Sequence, residues 1–478
     1  MNKSKIKETL GDVFGIDTFR HSQQEIVERI LDGKHALVLM PTGMGKSLCY
    51  QLPAVLLDGL TIVISPLISL MKDQVDKLQG MGVDAIYINS SLDKDEREKR
   101  YDQVAQGKYK LLFVAPERFA KPEFLQVLQD RNVSLLAIDE AHCVSQWGHD
   151  FRPYYKKIDE FRKQLQEPTT IALTATATPH VRKDIIEQIG LASEDVKIFN
   201  EGICRENLIL QVEEPIDESE KFEGILQKLQ ETQGSKIVYF NLIKSIEKFA
   251  HFLDLKQYQY LVYHGKLESS QRRRVQQQFM QGSDDVVLAT NAFGMGIDKP
   301  DIRLVIHAEI PDSPESYYQE IGRAGRDGKE SECVLYYVEA DLGVQLNFLT
   351  WKNPDAVFIQ KVYTFLKKNE EILSSLSYED IQEKLVFKNR GDQRLQTALN
   401  VLQYQGVISG SLENKNVQVL RDLPEILQTG EYTQQKAEFD RKRLLSIFQY
   451  IKSDCRRGFI HSYFHAPQVD CNRCDRCA

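Results

Sequence analysis

The chain has 478 residues, 42% of them hydrophobic, and 61 Lys and Arg against 69 Asp and Glu give a net charge of −8. That length implies three or four domains with substantial cores, and the negative balance excludes a histone-like polycation while leaving room for a local basic groove. No apolar run reaches bilayer-spanning length and Met1–Leu10 lacks an apolar signal segment, so the expectation is a cytoplasmic protein with no membrane partner.

In chain order, short apolar strands alternate with helical stretches twice. The first series predicts strands at Ala36–Met40, Thr61–Ser65, Ala85–Asn89, Lys110–Ala115, Ser134–Asp139 and Thr170–Thr174. The second predicts them at Lys236–Tyr239, Tyr260–Tyr263, Val286–Ala289, Arg303–His307 and Glu332–Val338. Such alternation implies two parallel α/β sheets with functional groups at the strand ends. Beyond Val344 the pattern predicts helices over Ala356–Leu373 and Tyr378–Leu385, then a break at Arg390-Gly391. A third helix carries Leu395, Ala398, Leu399 and Leu402 on one face, and Gly406 closes it. Val407–Ser409 and Val417–Leu420 read as strands across an Asn-rich turn. Helix, helix, helix and β-ribbon is the order of a winged-helix module; an unrelated α+β insertion is the alternative. The expected domains are 1–207, 208–344, an inserted module at 345–424 and a helical metal-binding module at 425–478.

The first predicted strand runs into Thr42-Gly43-Met44-Gly45-Lys46-Ser47 and then a helical pattern. Strand, glycine loop and helix N-terminus make a phosphate site from backbone N–H groups. Lys46 adds a point charge and the Ser47 hydroxyl can ligate Mg²⁺. Met40 replaces the first Gly of the strict pattern. About ninety residues on, Asp139-Glu140-Ala141-His142 follows another apolar run, the second half of an NTPase site. Asp139 is expected to hold Mg²⁺ and Glu140 to orient or deprotonate the attacking water. Positive charge for the transition state is expected from Gln319-Glu-Ile-Gly-Arg323-Ala-Gly-Arg326, whose two Arg, three residues apart, face the same side of a helix and would reach across a cleft as an arginine finger. An ordinary solvated face is the competing reading.

Cysteines are clustered only at the end, as Cys455, fifteen residues, then Cys471-Asn-Arg-Cys474-Asp-Arg-Cys477. The spacing can close a tetrahedral Cys₄ zinc site, with an iron–sulfur cluster as the rival. Cys49, Cys143, Cys204 and Cys333 read as reduced structural thiols. Arg441, Arg443, Arg456, Arg457, Arg473 and Arg476 around the cluster could meet phosphates or be solvated charge.

Taken together, these residues resemble the tandem RecA-like lobes of superfamily 2 helicases, and within them the RecQ family of DNA helicases, in a short bacterial form lacking the C-terminal helical domain. Phe19-Arg20-His-Ser-Gln23 resembles the adenine-recognition motif, with Arg20 and Gln23 in the matching places. Ser65-Pro66-Leu67 and Leu70-Met-Lys-Asp-Gln74 resemble the strand-contacting motif of lobe one. The stretch Cys143-Val-Ser-Gln146-Trp147-Gly-His149-Asp-Phe151-Arg152-Pro153 resembles the family's aromatic-rich loop. Trp147 and Phe151 beside Arg152 would suit unpaired bases. Leu173-Thr174-Ala-Thr176-Ala-Thr178 is similar to the coupling motif. Thr290-Asn-Ala-Phe-Gly-Met-Gly296-Ile-Asp298-Lys299 is similar to the lobe-two motif that touches DNA and nucleotide.

The resemblance implies an ATP-, Mg²⁺- and Zn²⁺-dependent 3′–5′ DNA helicase of repair and recombination. It would act as a nucleoid-associated monomer on single-stranded and forked DNA, with single-stranded-DNA-binding protein as a further partner. His142 and Gln319 join the catalytic set by this resemblance, and Met44 and Gly45 the ATP site. An ATP-driven translocase or RNA helicase is one alternative. A binding module on an inactive motor is another, opposed by the intact Lys46, Asp139, Glu140 and Arg326. The chain departs from the family pattern at Ile16, where an adenine-stacking aromatic is usual and Phe14 could substitute. It departs again at Glu206, in place of the linker Pro, at His264-Gly265-Lys266 and at Tyr239-Phe240-Asn241. Module order departs too, since the winged-helix-like segment precedes the cysteines.

Overall fold

In the computed structural model the described residues are 3–41, 43–66, 68–145, 153–294, 297–385, 392–412, 415–468 and 470–477. The chain forms two compact units. The first comprises Met1–Glu309, Glu315–Val338 and Tyr450–Ala478, the second Ile310–Pro314 and Glu339–Gln449.

The first unit is built on two parallel sheets. Sheet one contains β1 (His35–Leu39), β2 (Leu60–Ile64), β3 (Ala85–Ile88), β4 (Leu111–Val114), β5 (Val133–Ile138), β6 (Thr169–Thr174) and β7 (Val196–Asn200), in the order β3-β4-β2-β5-β6-β1-β7. Its central strands read as unbroken apolar runs because both faces are covered. Along β1 and β2, Leu37, Leu39, Ile62 and Ile64 enter one core, while Ala36, Val38 and Val63 enter the other. The side-chain period of two does the sorting. Six strands lie where the sequence predicts them, within a residue or so at each end. The seventh, β7, is an edge strand with Lys197 and Ile198 exposed, so it lacks the apolar run that marks the rest.

Sheet two contains β8 (Leu208–Glu213), β9 (Ser235–Tyr239), β10 (Leu261–Tyr263), β11 (Val286–Ala289), β12 (Ile302–His307) and β13 (Ser331–Tyr336), in the order β10-β11-β9-β12-β13-β8. The five predicted strands are present. The sixth, β8, is again an edge, and it begins at the expected domain boundary.

In the second unit helices Ala356–Lys368, Tyr378–Leu385 and Arg394–Tyr404 are followed by an antiparallel ribbon of β14 (Ile408–Ser409) and β15 (Gln418–Val419). This is the predicted order. The first helix ends at Lys368, not Leu373, because Asn369 turns into a 3₁₀ segment over Glu370–Ser375. Gly406, at φ +67°, follows the third helix, and the Val407 N–H reaches back to the Leu402 carbonyl. Ile359, Val362, Leu366, Ile381, Leu395, Leu402 and Val407 share one core. The expected break at Arg390-Gly391 lies outside the described residues.

Candidate motor site and metal centre

β1, β5 and β6 are neighbours, so their C-terminal ends bring three loops together at one edge of sheet one, where ligands of such sheets bind. From β1 come Gly43, Met44, Gly45, Lys46 and Ser47, leading into the helix Leu48–Leu56. Gly43 and Gly45 sit at φ +85° and +82°, a left-handed conformation that glycine adopts without strain. Gln23 is buried under this loop. Its Nε2 donates to the Met44 and Gly45 carbonyls at 3.1 Å each, and its Oε1 accepts from the Arg20 N–H at 2.9 Å. The Lys46 ammonium is buried without a hydrogen-bond partner among the described residues. A buried cation without a hydrogen-bond partner, carried on a glycine loop at a helix N-terminus, fits a phosphate group.

From β5 come Asp139 and Glu140. Burial, then the neighbouring Glu140 charge, pushes the Asp139 carboxyl up to about 7, against the pull of Lys46. Glu140 stands at φ +48°, rare for a residue with a β-carbon, and its Oε2 lies 3.4 Å from His142 Nδ1. His142 Nδ1 is also 3.0 Å from Thr174 Oγ1 at the end of β6, and Thr174 Oγ1 donates to the Thr176 carbonyl. The acidic box is thus tied to the threonine segment. Phe14 and Ile16 both pack, partly buried, against the core of Leu10, Val27, Leu48 and Leu52.

The arginine pair does not lie on a helix. Helix Pro314–Ile321 carries the half-buried Gln319 and stops before Gly322, and Arg323 and Arg326 lie in the turns that follow. Gly325 at φ +53° is the reason. Its N–H donates to the Ile302 carbonyl instead of continuing the helix, and a β-carbon there would meet Asn207 Nδ2 at 2.4 Å and the Lys329 carbonyl at 2.6 Å. The turn separates the two side chains. Arg323 is buried and donates to the Gly294 carbonyl. Arg326 donates to Asp298 at 2.6 Å, and its Cγ is 3.3 Å from where a Gly43 β-carbon would be. An arginine carried by sheet two therefore stands against the phosphate loop of sheet one. Lys77, on helix Ile68–Gly80 of the sheet-one half, takes the other Asp298 oxygen at 2.5 Å. Nothing in the helical surroundings of Lys77 marks it in the sequence.

Of the strand-contact candidates, Ser65 is buried at the end of β2, with Pro66 beside it. Gln74 accepts from Gln51 at 2.9 Å, and Thr290 follows β11. Thr42, Gln146, Trp147, His149, Phe151, Arg152 and Gly296 lie outside the described residues.

The Sγ atoms of Cys455, Cys471, Cys474 and Cys477 all lie within 4.8 Å of one another, and none is in a disulfide. A tetrahedral zinc with sulfur at about 2.3 Å needs sulfurs about 3.8 Å apart, so the set fits a closed Cys₄ site. Cys455 caps helix Arg456–Tyr463 through its sulfur. The Cys471–Cys477 knuckle docks on the free edge of sheet two, with the Leu210 N–H donating to the Arg473 carbonyl and the Asp475 N–H to the Leu210 carbonyl. The surrounding arginines divide: Arg441 and Arg476 are exposed, while the other four have partners inside the protein. Arg456 and Arg457 are buried and donate to backbone carbonyls inside the protein, Arg443 donates to Ser313, and Arg473 pairs with Glu330. Buried guanidinium groups persist only when so paired.

Comparison with known proteins agrees with this geometry. Residues 20–185 match the DEAD/DEAH box helicase family, 220–328 the helicase conserved C-terminal domain, and 415–478 the RecQ zinc-binding family. The probable ATP-dependent DNA helicase RecS of Bacillus subtilis is 42% identical over 370 residues, 77% of this chain and 74% of that protein. The chain belongs to the RecQ family of ATP-dependent DNA helicases. The RecQ of B. subtilis is 42% identical over 80% of this chain, and that of Pasteurella multocida 44% over 71%. This RecQ-family chain spans 64% and 53% of those two proteins. At the level of fold alone it is similar to yeast Dbp5 bound to RNA and ADP BeF3 (TM-score 0.58, 18% identity, 72% of this chain and 91% of that one). It is similar also to MrfA bound to DNA and AMPPNP (0.60, 17%, 88% and 63%).

Proposed function

We propose that this chain is an ATP-driven DNA helicase that moves 3′ to 5′ along one strand and separates duplex or forked DNA in repair and recombination. The observation that carries the reading is Arg326 of one lobe standing against the phosphate loop of the other, which carries Lys46 and lies by the partly buried Asp139 and Glu140. In this reading Lys46 and the loop amides grip the β- and γ-phosphates, and Arg20 and Gln23 serve the adenine. Ser47 and Asp139 would hold Mg²⁺, which when bound neutralises charge on the phosphates. Glu140 orients the water whose oxygen attacks the γ-phosphorus as the bond to the β-phosphate oxygen breaks. Arg323 and Arg326 stabilise the negative charge that accumulates, with Gln319 in support. His142 links that chemistry to Thr174 and Thr176. Gly296 and Asp298 complete the nucleotide side from lobe two.

Closing the lobes on ATP and reopening after hydrolysis would step the protein along a strand held by Ser65, Pro66, Gln74 and Thr290. The loop of Gln146, Trp147, His149, Phe151 and Arg152 would stack bases next to the acidic box. The domains are then two RecA-like lobes (1–207 and 208–344), an inserted winged-helix-like module (345–424) and the zinc module (425–478). The protein would work as a cytoplasmic, nucleoid-associated monomer recruited in part by single-stranded-DNA-binding protein. The test is ATP-dependent displacement on duplexes with a 3′ or a 5′ tail, with Lys46→Ala as control. Displacement of the 3′-tailed duplex only, lost in the variant, is expected. Hydrolysis without displacement leaves a translocase, and stronger stimulation by RNA than by DNA overturns the substrate.

A further inference from the structure

We propose that Arg205, in the segment joining the two lobes, is the positioning residue for the arginine loop, and that Arg457 of the zinc-bearing helix holds Arg205 in place. The inference rests on the motor reading above. Arg205 Nη1 donates to the Gly322 carbonyl at 3.2 Å, and Nη2 to those of Ala324 and Gly325 at 2.7 and 2.9 Å. These three carbonyls flank Arg323 and lead to Arg326. They lie just past the end of helix Pro314–Ile321, where backbone acceptors have no helical partner. Asn207 Nδ2 secures the far side of the loop, donating to the Gly325 and Lys329 carbonyls at 2.8 and 2.7 Å.

The linker is itself held from the zinc module. Arg457 is buried, and its Nη1 donates to the Arg205 carbonyl at 3.1 Å and its Nη2 to the Leu208 carbonyl at 2.8 Å. Two residues before it stands the zinc-ligand candidate Cys455. A series of hydrogen bonds thus runs from Arg457, two residues past Cys455, through the Arg205 backbone and side chain to the loop that puts Arg326 against Gly43. An arginine that stabilises a transition state is effective only when its position is set beforehand. On this chain that position is set by carbonyls gripped from the linker. The zinc module would thereby tune hydrolysis.

The experiment compares Arg205→Gln, Arg457→Gln and Arg326→Ala, singly and in pairs, each checked for zinc content and melting temperature. Arg205→Gln is expected to lower the kcat of DNA-stimulated hydrolysis by roughly 10- to 100-fold, the scale of a small misplacement of a reacting group, with KM for ATP unchanged. Combined with Arg326→Ala it should be no slower than Arg326→Ala alone, and Arg457→Gln should fail to add to Arg205→Gln. Effects that multiply, or a change confined to KM, would overturn the proposal. If Arg205→Gln does not fold, Asn207→Ala tests the same grip from the opposite side, under the same criterion. Absence of DNA-stimulated hydrolysis in the unaltered chain would sink the motor reading itself, and the control shows it before any variant is compared.

Discussion

Asp475 and Glu330 each form an ion pair with an arginine of the zinc module, and the structure assigns them very different worth. Arg456 is fully buried, and all three of its guanidinium nitrogens are engaged. Nε and Nη2 take the two Asp475 oxygens at 2.8 Å each, and Nη1 reaches the carbonyls of Tyr450, Ile451 and Ser453. Asp475→Ala leaves a guanidinium out of water without its counter-charge, a loss of about 3–5 kcal/mol. Asp475→Asn should be nearly as costly, because its amide brings donors against donors. Arg473 and Glu330 meet at 2.7 Å, but their side chains are 46% and 63% exposed. Water and salt screen that pair, so Glu330→Gln should cost about 0–1 kcal/mol.

The consequence is local. Asp475 sits between Cys474 and Cys477 and fixes the knuckle on β8, so the lost energy should appear as opening of the knuckle. At about 1.4 kcal/mol per tenfold, 3 kcal/mol raises the open fraction on the order of a hundredfold. The assay is zinc release to a chromogenic chelator in excess, with hydrogen exchange of residues 470–477 followed by mass spectrometry. Release faster by about that factor in Asp475→Ala, and unchanged in Glu330→Gln, is expected. Equal release rates in the two variants would refute the reasoning.

Arg326→Ala should leave ATP binding intact and slow hydrolysis by roughly 10³-fold or more, the range of arginine fingers, measured by single-turnover phosphate release. Gly325→Ala should destabilise more than Gly328→Ala by thermal melting, although both stand at positive φ, because only Gly325 has backbone and side-chain atoms within contact of the added carbon. The Asp298 carboxyl is pushed up by burial, but the Lys77 hydrogen bond and the Arg326 charge outweigh this and hold it below its ordinary value. A depressed carboxylate contributes fully above its unfolded pKa of about 3.9 and is lost only as pH falls through the lower folded value. Fluorescence transfer between dyes on the two lobes should therefore be flat from neutral to mildly acid pH in the unaltered chain, and Asp298→Asn should lower it at neutral pH.

The sequence discloses most of the fold because a parallel sheet buried on both faces must be written in apolar runs, and eleven of the thirteen strands in the first unit carry one. The two it conceals, β7 and β8, are edge strands in which exposed or half-buried polar positions interrupt the run, whereas the other two edges, β3 and β10, keep short apolar runs. The phosphate loop and the acidic box are legible for a related reason. Their chemistry is local, since each is a short segment at the end of its own strand, and adjacency of β1, β5 and β6 follows from the fold.

The arginine loop shows where such legibility stops. Helical spacing puts Arg323 and Arg326 on one face, yet the property that matters is a break in the helix. Gly325 could have signalled it, but glycine within a helical pattern is common enough to be tolerated. Two deciding partners, Asn207 and Ile302, come from two other stretches of chain, and no spacing within the motif reports them. The same holds for Arg456 and Arg457. Adjacent arginines beside a cysteine cluster read as charge for phosphate, and only the fold reveals carbonyls and a carboxylate already waiting. Where a basic residue's partners are backbone carbonyls, sequence has no letter for them. The arginines that hold this site together were therefore the ones its sequence was least able to assign.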